Sequence, residues 1–113
     1  MPQVRNRQFE VFNDGVVHIL KITETGEPET KSKRPMRFSN RIVGETQFYG
    51  AKAADVKISR RIRIPMRRNI DEDNKNKFFA EIEGKLYRIE RAQHYQELIP
   101  PCTDLTLNFF RER

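Results

Sequence analysis

Two histidines, one cysteine and one acidic run are the residues best suited to chemistry in this chain of 113 residues. Nucleophilic catalysis needs a base beside a serine or cysteine. Cys102 with His94 is the conceivable pair, and nothing in their spacing supports a dyad. His18 and His94 are each expected to pack or to face solvent. Asp71-Glu72-Asp73-Asn74 has enough negative charge for a cation. It lacks the glycine at the sixth position and the glutamate at the twelfth that a calcium loop requires. A solvated loop is the simpler expectation. There is no Gly-rich phosphate loop and no CxxC pair. Neither catalysis, nor a metal, nor another cofactor is expected.

Charge is the stronger signal. In VKISRRIRIPMRR, Val56 to Arg68, every second residue is apolar: Val56, Ile58, Ile62, Ile64 and Met66, with Arg60 intruding. Lys57, Ser59, Arg61, Arg63, Pro65 and Arg67 occupy the other parity. A period of two means a strand with one greasy face and one cationic face. Residues 31–68 hold twelve Lys/Arg against Glu45 and Asp55, a net of +10 within a chain of net +6. The residues on either side are slightly acidic. Such a block suits a polyanion or an acidic protein surface, or simply a solvated face.

Those residues need elements to position them. Only 36% of the chain is apolar and 34% is charged, which allows one domain with a lean core. A subunit of this kind gains from stabilisation by a partner or by self-assembly. Cys102 is the single cysteine, so no intrachain disulfide is possible. No apolar run has the roughly 18–20 residues of a membrane span, and no signal-peptide pattern is seen. The expected setting is the reducing cytoplasm, without a membrane partner.

The chain reads mostly as short strands. Gln8–Phe12 and Val16–Thr23 flank Asn13-Asp14-Gly15, a turn signal, and are expected to form a hairpin. Thr25–Arg34 is expected to be a flexible loop. Met36–Ile42 suggests another strand, and Gly44–Ala54 a short helix. The strand of Val56–Met66 should end, or lie at an edge, at Pro65. Asn69–Lys77 is a second polar loop. Phe78–Ile82 and Leu86–Glu90 should pair around Glu83-Gly84, with Ala80 opposite Tyr87 and Phe78 opposite Ile89. Pro100-Pro101 breaks the chain before a last strand containing Leu105, Leu107 and Phe109. The expected fold is mainly all-β: a small antiparallel β-barrel or sandwich with one short helix and long polar loops.

The order VGETQFYGAKAADVKISRRIRIP, a polar loop, EIEGKLYRIERAQHY and PPCTDLTLNFF resembles the head–tail joining, or head closure (stopper), proteins of siphoviruses, particularly those infecting Gram-positive hosts. The resemblance covers about residues 36–110 and rests on the order and spacing of common β-protein patterns. It implies a small barrel that assembles as a ring beneath the portal and its adaptor. The ring would retain packaged DNA and dock the tail. Implied partners are other copies of the chain, portal or adaptor proteins, tail terminator or tail proteins, and genomic DNA in the channel. The implied location is the virion neck, after synthesis in the bacterial cytoplasm.

Under that resemblance the basic strand, with Lys57, Arg61, Arg63, Arg67 and Arg68, faces a partner or DNA. Glu27, Lys31, Lys33 and Arg34 in the first loop, and Asp71, Glu72 and Asp73 in the second, are candidates to contact neighbours or the channel. The alternative is a small basic β-barrel that binds nucleic acid by itself. A single-strand platform wants exposed aromatics for stacking. Phe48, Tyr49, Phe78, Phe79 and Tyr87 are expected mainly in the core, which disfavours that form of binding.

Overall fold

The structure is a computed structural model that describes residues 9–29, 35–41 and 59–113. It contains six strands: β1 (Gly15–Lys21), β2 (Met36–Arg41), β3 (Ser59–Pro65), β4 (Phe78–Ile82), β5 (Lys85–Tyr95) and β6 (Cys102–Glu112). They close into a barrel in the order β1-β2-β3-β6-β5-β4, every neighbouring pair antiparallel. The only helical element among the described residues is a 3-10 turn at Lys75–Lys77. The expected helix at 44–54 and the start of the basic strand, including Lys57, lie outside the described residues, as do Lys31, Lys33 and Arg34.

Alternation explains the barrel. Ile62 and Ile64 of β3 are fully buried. They meet Val17, Ile19, Phe38, Ala80, Ile82, Ile89, Leu105 and Leu107 in the interior. Burying each such aliphatic side chain contributes about 1.5–3 kcal/mol. Ile70, in the expected polar loop, is also fully buried and joins this core.

A second, smaller cluster comprises Leu20, Phe79 and Leu86, with Ile22 and Phe110 packed against it. These residues lie on the opposite parity to the barrel interior. They account for the adjacent apolar pairs Ile19-Leu20, Phe78-Phe79 and Phe109-Phe110. Phe79 and Phe110 stack with ring centroids 5.3 Å apart.

The β4–β5 hairpin forms around Glu83-Gly84, with Ala80 opposite Tyr87. Both turn residues have positive φ, 52° and 80°, as a tight two-residue hairpin requires. The register ends at Phe79 opposite Arg88, one step short of the expected Phe78–Ile89 pair. β5 and β6 run eleven residues each, well beyond the expected strands. Two register shifts in their pairing bend the ladder around the barrel.

The expected hairpin at Asn13-Asp14-Gly15 does not form. Phe9 instead makes an isolated parallel bridge to Ile99, and Glu10 N–H donates to the Ile99 carbonyl at 2.7 Å. Asp14 is used by β2: its carboxylate accepts the Asn40 N–H at 2.8 Å. Gly15, with φ of 152°, lies so close to Phe38 that a Cβ there would stand 2.9 Å from the ring. The three turn-forming residues thus lead β1 in against β2 rather than reverse the chain.

Candidate functional site

β2, β3 and the following Met66–Arg68 carry seven arginines and no acidic residue: Arg37, Arg41, Arg60, Arg61, Arg63, Arg67 and Arg68. The two strands pair with Arg41 opposite Arg61 and Ser39 opposite Arg63. β6 extends both rows, placing Thr106 beside Arg61 and Asp104 beside Arg63. β5 then adds Arg91 and Gln93. Alternation therefore aligns one row as Arg41, Arg61, Thr106, Arg91 and the next as Ser39, Arg63, Asp104, Gln93.

The second row corrects the expectation for Arg63. Its side chain is buried rather than turned to a partner. Nε donates to Asp104 Oδ1 at 2.7 Å and Nη2 to Oδ2 at 3.0 Å. Nη1 donates to Glu10 Oε1 at 3.1 Å. The guanidinium also lies 5.4 Å from the Tyr95 ring centroid. Hydrogen bonding to Asp104 holds it protonated more firmly than an ordinary arginine, against the opposing effect of burial, with Glu10 adding to the hold. A buried charge needs partners of this kind, and Arg63 is part of the wall of the barrel.

Arg60, the intruder on the apolar parity, is accommodated by aromatics. Its guanidinium lies 5.4 Å from the Phe38 ring and 5.7 Å from that of Tyr87, and donates to Asn40 Oδ1 at 2.9 Å. Arg67 is half-buried; its N–H donates to Thr103 Oγ1 at 2.9 Å and its Nε to Asn69 Oδ1 at 3.0 Å. By contrast, Arg37, Arg41 and Arg68 are exposed and Arg61 is half-buried. The side chains of these four make no hydrogen bond or salt bridge to other described residues. Sequence reading singled out Arg61 and Arg68 but missed Arg37 and Arg41. The alternation of Arg37, Ser39 and Arg41 with Phe38 was the available signal.

The acidic candidates are structured more fully than their composition implies. Asp71 Oδ1 accepts the N–H groups of Asp73 and Asn74 at 2.9 and 3.0 Å, while Asn74 Oδ1 accepts the Asp71 N–H at 2.8 Å. Glu72 Oε2 accepts the Ala92 N–H of β5 at 2.6 Å. That bond is the main cause of a pKa below the ordinary glutamate value, with Lys75 also contributing. Asp73 is exposed. Glu27, in the first expected loop, pairs with Arg111 at 2.6 Å. The turn around it is fixed by a bridge between Ile22 and Pro28 and by Arg113 donating to the Glu29 carbonyl at 2.9 Å.

His94 and Cys102 have separate partners. His94 Nδ1 shares a hydrogen bond with Thr103 Oγ1 at 2.8 Å. The buried Cys102 thiol donates to the Pro100 carbonyl at 3.1 Å, and burial raises its pKa. Among the described residues no three His, Cys, Asp or Glu side chains are grouped to hold a metal, and no helix is long and apolar enough to cross a membrane.

A cleft of about 880 Å³ adjoins the basic face, lined among others by Phe12, Met36, Arg37, Pro65, Arg67 and Arg68. Val11 on its rim is 60% exposed. The face thus combines cations with apolar surface. Compared with the models of known protein families and with curated proteins, the chain finds no match.

Proposed function

We propose that this chain is a structural protein of a phage neck that forms a ring between the portal or adaptor and the tail. The ring closes the DNA-filled head and docks the tail. The observation that carries the reading is the surplus of arginine on β2 and β3. Arg63 has carboxylate partners, while Arg37, Arg41, Arg61 and Arg68 have none among the described residues and are available to groups supplied from outside. A closed barrel offers no free sheet edge for strand addition, so association must use side-chain faces. Closed rings are built from heterologous contacts, in which two different patches match. A cationic face beside an apolar cleft is suited to one side of such a contact, because interfaces combine apolar anchors with arginine. Exposed Glu83 in the β4–β5 turn, Glu90 on β5 and Glu112 at the end of β6 offer charges of the other sign. The order of sequence patterns over residues 36–110 supplies the neck assignment. The reading involves no catalysis, cofactor or membrane.

Negative-stain microscopy of particles assembled without this chain tests it. Empty heads beside free, complete tails are the expected result; normally joined virions would overturn it. The same arginines favour a second reading, a basic barrel that binds nucleic acid as an isolated subunit. Tight DNA or RNA binding by the purified chain, together with normal virions in its absence, would favour that reading.

A further inference from the structure

Arg41 and Arg61 stand directly opposite each other across β2 and β3. Like charges in that position destabilise a sheet, and neither residue has a carboxylate within salt-bridge distance among the described residues. Together with Asn40, Arg63, Tyr95 and Asp104 they line a recess of about 350 Å³. The neighbouring row shows how this face binds a carboxylate: one guanidinium fork, that of Arg63, occupies both oxygens of Asp104. A second fork aimed at the same two oxygens would gain little. Two opposed forks suit a tetrahedral anion, whose oxygens point in more than one direction. The charge count agrees. The recess is lined by three arginines and one aspartate, a surplus of positive charge that a phosphate group would offset.

We propose that Arg41 and Arg61 form a phosphate-binding site on the outer face of the barrel, with the buried Arg63–Asp104 pair as its floor. The phosphate is either free or part of a nucleic-acid backbone. The site does not depend on ring assembly, and it is tested on isolated subunits, so its failure and that of the neck reading are separable.

The experiment follows the arginine Nε–Hε resonances of the ¹⁵N-labelled full chain. Sodium phosphate and sodium chloride are added at matched ionic strength, and in separate titrations a thymidine oligonucleotide and a polyglutamate peptide. Saturating shifts at Arg41 and Arg61 with phosphate, and at least tenfold weaker binding in Arg41→Gln and Arg61→Gln with otherwise unchanged spectra, are expected. Tighter binding of the oligonucleotide at these two residues would support the site with a backbone phosphate as its ligand. Tighter binding of free phosphate would support it as a small-anion site. Equal shifts with chloride, or equal affinity for polyglutamate, would overturn it.

Discussion

Arg63 illustrates how a charge that looks like a surface contact becomes part of the wall. Its partners lie 41 and 53 residues away in sequence, and Asp104 is 4% exposed. Removing one member of such a pair leaves the other buried and uncompensated, at a cost of about 3–5 kcal/mol. Asp104→Ala should therefore lower unfolding free energy by about 3 kcal/mol in urea titrations. Replacing both partners, as in Arg63→Met with Asp104→Leu, should cost clearly less than the sum of the single changes. An additive result would mean that the pair is not coupled. Glu72 gives a pH-dependent case. Its folded pKa is depressed below 4.5, chiefly by the Ala92 N–H, so its contribution is complete above that value and is lost as pH falls through the folded pKa. The stability difference between the native chain and Glu72→Gln should shrink as pH is lowered below 4.5. A difference independent of pH would remove Glu72 from the acid response.

At the scale of elements, backbone geometry separates two glycines that look alike in sequence. Gly84 needs its positive φ of 80° but has open space around it, whereas Gly15 also lies against Phe38. Gly84→Ala should cost about 1–2 kcal/mol for placing a Cβ in the left-handed region, and Gly15→Ala more, because the Phe38 ring must also move. Thermal unfolding of the two variants measures the difference. These turns also show what was legible in the sequence. The β4–β5 hairpin could be read because its register is set by two adjacent residues. Asn13-Asp14-Gly15 carries an equally good local signal, yet Asp14 caps a backbone N–H of β2 and the reversal is lost. The barrel was expected as one of two forms. Its closure by β1 on β4 and β3 on β6 pairs residues far apart, and no local pattern encodes that. The candidate site divides in the same way. Alternation shows which arginines share a face, but only the fold shows that Glu10 and Asp104 claim Arg63 and leave Arg61 beside Arg41.

At the scale of the molecule, the arginine surplus should act on stability even without a partner. Arg37 and Arg68 are exposed and line the same cleft, and no acidic residue shares β2 or β3 with them. Mutual repulsion across this face opposes folding and is screened by salt. Raising salt from about 0.01 M to about 1 M shortens the screening length from roughly 30 Å to roughly 3 Å, so the native chain should melt higher at the upper end. Arg37→Glu with Arg68→Glu removes part of the repulsion. The double variant should therefore be at least as stable as the native chain at low salt and should gain less from added salt. The two melting curves measured across that range decide the point. A double variant that melts lower, with an unchanged salt response, would mean that these arginines are already satisfied within the subunit. The expected result instead gives a folded chain carrying electrostatic strain that an anionic partner would relieve, and under the neck function proposed above the same variant should join heads to tails poorly while remaining folded.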